Sequence, residues 1–484
     1  MNKKIFYILL FSLLIRLYNI TFPVAGWHAW RQADTASIAR NFFTEESDIF
    51  YPRIDWRGDT EGYAETEFQI YPFIVSGLYN LFGVNEFFGR LISVFFSVLT
   101  VFGIYLLVRK TIDERTALWS AFIYSVLPLN IFFGRAFMPE PAMLMCSVYG
   151  IYFFVKWTEN DSRRDFILSA FFIAMAALIK LPALYLGLPL AYLCYKKYGR
   201  TFLKTPVIWI YVLLVFIPVA AWYYHAHQLY LRTGLTFSIW DAGKDKWGMT
   251  EPLFTLKFYN DIFFKSIAER HLTYPAFIVF IWGMLIKRKQ YLEHLFDWWL
   301  AGIIVFILIA PQAHLAQEYY QLPFNISASV FIAKVFSKYI KSDELRDSFK
   351  KNTLAVTVLS VCLSGIIVLS FLRVRNFMKS EDLNAPVFKI AAVVDSVSGP
   401  GDKFITVTEG NPAMLYIIKR KGWVSFPDDN NDVFISAKKS GGAKFITGEK
   451  SIIKTDAQRN SFESLKRKNE VITDNDEYFL IKLK

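Results

Sequence analysis

The chain is a succession of long apolar runs separated by short polar breaks. A run of about 20 mostly apolar residues is what a helix needs to cross a bilayer. Runs of that kind fall near 5–24, 86–108, 116–133, 141–157, 166–180, 181–195, 206–224, 273–286, 297–313, 321–337 and 353–372. Lys180-Leu181-Pro182 leaves almost no loop inside 166–195. Residues 68–82 are apolar but too short to span comfortably, and read as re-entrant or interfacial. After Arg373 the period changes. Residues 384–397 read as a helix, Lys403 to Thr408 alternates like a strand, and mixed patterns continue to Ile481-Lys482-Leu483. The pattern predicts a polytopic α-helical membrane protein: about eleven transmembrane helices over 1–372, then a small soluble α/β domain over 373–484.

Charge fixes the orientation. With the N-terminus inside, the inner loops carry Arg109, Lys110 and Arg115; Lys156, Arg163 and Arg164; Lys196, Lys197, Arg200 and Lys204; Lys287, Arg288 and Lys289; and the stretch from Lys334 to Lys351. Every inner loop is basic, as positive-inside topology requires. This placement accounts for the formal charge of +12 and argues against nucleic-acid binding. An odd number of spans puts the terminal domain outside. A content of 54% hydrophobic and 18% aromatic residues suits membrane spans with interfacial Trp and Tyr. Cys146, Cys194 and Cys362 all lie in apolar runs, which implies no disulfide framework. The first run has no small-x-small cleavage site and reads as a span.

Two outer loops are long, about 25–85 and 225–272, and long loops in compact proteins carry function. Asp34 lies at the start of the first, ahead of a short helix expected over Asp34–Phe43. A carboxylate at the outer face can serve as general base on an acceptor hydroxyl. Asp is equally favoured as a helix cap, and local spacing does not separate the two readings. Arg31 and Arg40 lie close in sequence, suited to holding a phosphate or tuning the acid. Glu140, in Met138-Pro139-Glu140-Pro141, occupies a tight outer turn, where a functional role competes with complementing a helix dipole. Arg135 precedes it and is a natural phosphate binder. Glu67 closes the hydrophilic part of the first loop and by composition reads first as a solvated acid. In His314-Leu315-Ala316-Gln317-Glu318-Tyr319-Tyr320, His314 and Glu318 would share a helix face, but two ligands do not make a metal site. Tyr319 and Tyr320 fit an aromatic belt as well as a binding site.

Taken together, these motifs and their order resemble the GT-C membrane glycosyltransferases, in the branch of protein O-mannosyltransferases and lipid A aminoarabinose transferases. More narrowly, the chain looks like bacterial family members typified by lipopolysaccharide-core galacturonosyltransferases. The resemblance covers about 1–372. It implies an inverting transferase that moves a sugar from a polyprenyl-phosphate donor to a lipid, glycan or protein acceptor at the outer face of the bacterial cytoplasmic membrane. It implies Asp34 as catalytic base, Glu140 as the second acidic site residue, and Glu318-Tyr319-Tyr320 as part of the donor-site lining. Arg31 or Arg135 would join that segment in holding the phosphate, with Glu67 and His314 as acceptor or metal candidates. It leaves room for a divalent metal without requiring one.

Two departures stand out. Thr35 follows Asp34 where many members have Glu, and Phe68-Gln69-Ile70-Tyr71-Pro72 follows Glu67 where aminoarabinose transferases have Lys-Pro-Pro, so an expected phosphate contact is missing. A transporter or lipid flippase would show internal repeats and broken helices around a midplane site, and the sequence has neither. A non-catalytic envelope assembly protein would not need Asp34 or Glu140.

Overall fold

The computed structural model describes residues 3–237, 249–340 and 345–484. Part of the second outer loop and part of the basic stretch after Lys334 lie outside the described residues. The chain divides into two compact units. One comprises Met1–Ile20, Arg90–His225 and Ser238–Phe377; the other comprises Thr21–Gly89, Ala226–Phe237 and Met378–Lys484.

Helices dominate the first unit. In chain order the structure has α1 (Lys3–Arg16), α2 (Ala29–Thr44), α3 (Ile70–Phe82), α4 (Glu86–Thr111), α5 (Glu114–Val126), α6 (Pro128–Phe133), α7 (Glu140–Asn160), α8 (Arg163–Ile179), α9 (Gly187–Tyr198) and α10 (Pro206–Thr233). After α11 (Leu256–Tyr259) come α12 (Tyr274–Leu285), α13 (Leu295–Ile309), α14 (Pro311–Ala316), α15 (Phe324–Tyr339) and α16 (Leu345–Phe377). Among the described residues, four helical stretches are long and apolar enough to cross a membrane: Glu86–Thr111, Pro206–Thr233, Tyr291–Ile309 and Asn352–Ser380.

The other apolar runs also form helices, several of them broken or short where the sequence reading expected none broken, and the breaks have local causes. Pro128 lacks an N–H and pushes Leu127 into an extended conformation, which splits 116–133 into α5 and α6. Lys180 is extended and Leu181–Leu186, with Pro182 inside it, is a 3-10 helix, so 166–195 becomes α8 and α9. The first helix stops at Arg16 rather than near residue 24. The reading of 68–82 as a short apolar element corresponds to α3.

Helix α15 runs through the centre of the first unit and is buried from Phe324 to Phe336. It packs on α5 and α12. The approach to α12 is close enough that a Cβ on Gly283 would lie 2.0 Å from the Phe331 carbonyl oxygen. At its far end Lys334 donates to Glu293, Nζ to Oε2 2.5 Å, so a buried cation carries its own anion.

The second unit is built on a five-stranded sheet with order β2-β1-β3-β5-β4. β1 (Lys403–Val407) runs parallel to β2 (Lys421–Ser425) and β3 (Ala443–Glu449), whereas β5 (Tyr478–Lys482) is antiparallel to both β3 and β4 (Glu470–Asp474). Helices α17 (Pro386–Val397), α18 (Ala413–Ile417), α19 (Asp432–Ser440) and α20 (Asp456–Lys468) complete it. The terminal α/β domain expected from the sequence is therefore present. Residues of the first outer loop belong to the same unit. Gly58 N–H donates to the Gly422 carbonyl (2.7 Å) and Gly422 N–H to the Asp55 carbonyl (3.1 Å), which joins that loop to β2.

The Gly283 contact gives a test of the helix packing. Gly283→Ala should lower the unfolding midpoint of the purified chain by the equivalent of about 1–3 kcal/mol, the usual cost of overpacking. Gly187→Ala, where a Cβ meets nothing within 4 Å, should leave it unchanged.

Candidate functional site

In the second unit, Asp34 sits in the second turn of α2, which begins at Ala29 after His28 in a left-handed conformation. This overturns the cap reading: Asp34 is inside the helix, buried at 3% exposure, and caps nothing. Its Oδ1 instead accepts a hydrogen bond from Trp56 Nε1 at 2.9 Å. The Trp56 ring is packed on two clusters. One is Ile38, Phe42, Ile54 and Ala64 of the first loop; the other is the core of the terminal domain, with Ile390, Phe404, Met414 and Leu415.

Burial drives the Asp34 carboxyl up to about 7; Arg31 and the Trp56 hydrogen bond oppose the shift, while Asp55 and Glu67 add to it. Arg31 Nη2 pairs with Glu67 Oε2 at 2.9 Å, and its guanidinium lies 4.9 Å from the Phe237 ring centroid. Asp34, Arg31 and Glu67 therefore form one cluster, and Glu67 is an ion-pair partner rather than a solvated acid.

Around this cluster the second unit is tied by further charged groups. Arg40 pairs with Asp55 and donates to the Tyr416 carbonyl at 2.9 Å, while Asn41 Nδ2 donates to Asp55 Oδ1 at 3.1 Å. Arg40 is thus spent on structure. Glu65, fully buried, accepts from Thr236 Oγ1 and lies 3.2 Å from His227 Nδ1. Glu65 is one of several acids in the first loop, and nothing local in the sequence marks it as the buried one.

In the first unit, Glu140 is the first residue of α7, where the helix dipole favours it, and its Oε1 pairs with Lys180 Nζ at 3.1 Å. Both side chains are buried. The Lys180 ammonium also lies 5.4 Å from the Tyr319 ring centroid and 5.8 Å from that of Tyr320. Tyr319 in turn packs edge-on against Phe133. The structure thus brings Glu140, Tyr319 and Tyr320 together around a lysine that the sequence reading used only as a break between spans. Its extended backbone between α8 and a 3-10 helix turns it inward. A buried ammonium with an anion and two aromatic faces is suited to hold an oxyanion.

Arg135 is fully buried, with Nη1 3.3 Å from the Asn19 carbonyl. The expected face shared by His314 and Glu318 is not formed. α14 ends at Ala316, Glu318 opens a separate 3-10 helix, and its carboxylate pairs with Arg270 at 3.4 Å. His314 instead packs against Phe306 and Tyr320. The Glu318 carbonyl is held by His271 Nε2 at 3.2 Å, whose Nδ1 lies 3.0 Å from Asn325 Oδ1; burial brings that imidazole down to about 4, so it is neutral. Among the described residues no group of three His, Cys, Asp or Glu side chains is arranged to hold a metal ion.

A broken helical bundle with a small α/β domain, and buried acid–cation clusters in each unit, defines a class: the chain has the GT-C glycosyltransferase fold. That fold is shared with solved structures of ArnT and of an oligosaccharyltransferase. A family profile described as dolichyl-phosphate-mannose-protein mannosyltransferase matches residues 69–225. The crystal structure of ArnT from Cupriavidus metallidurans bound to undecaprenyl phosphate superposes with a TM-score of 0.68 at 11% identity, covering 98% of this chain and 97% of that one. The apo oligosaccharyltransferase of Archaeoglobus fulgidus gives 0.62 at 12% identity, over 92% of this chain and 69% of that one. A structure of the same Archaeoglobus enzyme in complex with Zn and sulfate is also similar, with a TM-score of 0.59 at 12% identity. Among curated sequences, the dolichyl-phosphooligosaccharide-protein glycotransferase 1 of Pyrococcus furiosus is 31% identical over 113 residues, 22% of this chain and 12% of that protein.

The Asp34 environment has a consequence for stability. Its carboxyl binds a proton more tightly in the folded chain than in the unfolded one, so stability falls as pH rises from about 4 through 7, by up to about 4 kcal/mol. Asp34→Asn should therefore unfold at a higher temperature than the wild type at pH 8, with the difference shrinking toward pH 5. Thermal unfolding of the two purified proteins across that range checks it.

Proposed function

We propose that the chain is an inverting glycosyltransferase that moves a sugar from a polyprenyl-phosphate donor to a lipid, glycan or protein acceptor at the outer face of the bacterial cytoplasmic membrane. The observation that carries this reading is Asp34: a buried carboxylate held by Trp56 beside the Arg31–Glu67 pair, with its proton affinity set near neutrality. That is the property of a general base, not of a structural acid. Asp34 takes the proton of the acceptor hydroxyl as its oxygen bonds to the anomeric carbon. The bond from that carbon to the phosphate oxygen breaks, and polyprenyl phosphate leaves as an anion without a strong general acid.

Within the first unit, Lys180, kept in place by Glu140 and flanked by Tyr319 and Tyr320, is a cation suited to a phosphate oxyanion. Arg135 and Arg31 add positive charge, and the apolar helices accommodate the lipid tail. Glu318, paired with Arg270, orders the Tyr319-Tyr320 segment. The similarity to ArnT, whose structure was solved with undecaprenyl phosphate, supports the donor class. A metal ion has no step in this reading.

The topology that goes with it has about eleven crossings, the shorter helices tilting or pairing within the bundle, with both long loops and the terminal domain outside. Reporter fusions at Ser47, Thr250 and the C-terminus should all give an extracytoplasmic signal. A cytoplasmic signal from any of them would mean that a crossing has been miscounted.

Purified protein given a polyprenyl-phosphate sugar and native envelope extract should release polyprenyl phosphate, with no ion gradient and no nucleotide sugar. Asp34→Asn should reach the membrane normally and lose transfer by at least about 100-fold. Activity should fall as pH drops through about 7, where Asp34 takes up its proton. Trp56→Phe, which removes a hydrogen bond favouring the carboxylate, should move that limb to higher pH. If no lipid-linked sugar turns over while the protein moves a solute down its gradient, it is a transporter.

A further inference from the structure

The terminal domain carries a crevice at one end of its sheet. β1 stands between β2 and β3 and runs parallel to both. The chain leaves β1 through α18 toward β2, and leaves β3 through α20 toward β4 on the other side. The two connections also take opposite faces of the sheet. Met414 and Leu415 of α18 pack with Phe404 and Phe445, whereas Phe462 and Leu465 of α20 pack with Ile405 and Ile446. The carboxyl ends of β1 and β3 therefore form a topological switch point, the place where open α/β sheets leave room for a ligand.

A cavity of about 340 Å³ lies at that point, a size suited to a small ligand. Thr408 and Asn411, just after β1, line it together with Glu449, the last residue of β3. Asp382, Val387 and Ile452 line it as well. Glu449 is half-buried, and loss of water raises its carboxyl above the ordinary value. Among the described residues its carboxylate has one partner, the Ser451 hydroxyl at 3.5 Å. The cations next to it in sequence are engaged elsewhere, Lys450 with Asp474 and Lys454 with Glu409. Asn411 Oδ1 accepts from the Ala413 N–H at 2.9 Å, which leaves the amide N–H donors free.

No Lys, Arg or His among the described residues lines the cavity, so its carboxylates repel a phosphate or a uronate. Among the described residues no group of three His, Cys, Asp or Glu side chains is arranged to hold a metal ion. An ammonium would suit the carboxylates but could not accept from Asn411. A hydroxyl does both. Val387, Met414 and Ile452 offer apolar surface to the C–H face of a ring. Ala29, the first residue of α2, lines the same cavity, and Asp34 follows about 7 Å along that helix.

We propose that this crevice holds one neutral sugar residue of a glycan acceptor, its hydroxyls donating to Glu449 and Asp382 and accepting from Asn411. The sugar's place in an acceptor rests on the transferase reading; its binding does not.

The full chain, in a detergent without a sugar headgroup, should give saturation-transfer NMR signals with at least one of the methyl glycosides of glucose, galactose and mannose. Glucuronate and ethanolamine should give none. Glu449→Ala should weaken the binding about tenfold, and Glu449→Gln, which keeps an acceptor, should weaken it less. Ala385→Leu, which narrows the cavity, should abolish it. Turnover is not read, so a failed transfer assay and a failed binding assay are separate results. No signal from any of the three glycosides, binding that Glu449→Ala or Ala385→Leu leaves unchanged, or equal binding of glucuronate or ethanolamine would overturn the proposal.

Discussion

The hydrogen bond from the Trp56 indole to Asp34 is where the demands on the second unit meet. A carboxylate inside a helix and out of water is unstable unless something donates to it, and here the donor is an indole N–H at 2.9 Å. That indole is fixed because its ring is wedged between the first-loop cluster and the apolar core of the terminal domain. The sheet, the helices packed on it and the Arg40–Asp55–Asn41 network therefore all bear on the position of one oxygen atom. Arg31, which favours the ionised form, is itself restrained by Glu67, so the cation next to Asp34 is positioned but partly neutralised. The result is an acid poised near neutrality rather than one locked as carboxylate or carboxylic acid.

The first unit handles its buried charge differently. Glu140 and Lys180 compensate each other, and the tyrosine faces beside Lys180 provide electron density without a second full charge. An ammonium in such a setting can still be approached by an anion, whereas one bound by two carboxylates would repel it. His271, kept neutral by burial, holds the Glu318 carbonyl and so orders the backbone of the tyrosine segment without adding charge.

Much of the fold was legible in the hydrophobic pattern, because an apolar run of span length has few alternatives. The four helical stretches apolar and long enough to cross a membrane and the terminal α/β domain stand close to where the pattern put them. What the pattern missed are the interruptions. Leu127, Lys180 and Gln317 leave helical geometry at prolines or polar residues inside apolar surroundings, and a window of hydropathy averages over such breaks. The site was legible one residue at a time but not as clusters. Asp34, Arg31 and Glu67 were each singled out, yet their pairing spans a loop whose path no local rule specifies. Lys180 was passed over because a lysine between two spans reads as a loop charge. Trp56 was passed over because a loop tryptophan reads as an interfacial anchor. Only tertiary packing distinguishes a tryptophan that faces lipid from one that holds a carboxylate.

The splice between the first loop and β2 also constrains how the chain is made. Gly58 and Gly422, which share a backbone hydrogen bond, are 364 positions apart in the sequence. At roughly 5–20 residues per second, the loop emerges from the ribosome roughly 20–70 s before the strand that completes it. For that interval α2 carries an acidic residue meant for burial, with its tryptophan unanchored, and almost every helix has to be inserted before the strand arrives. Maturation of the second unit thus waits until β2 has been made. A chain released before β2 would hold its helices and its first loop but lack the surface that sets Asp34, which makes assembly of the poised acid a built-in check that synthesis has passed β2.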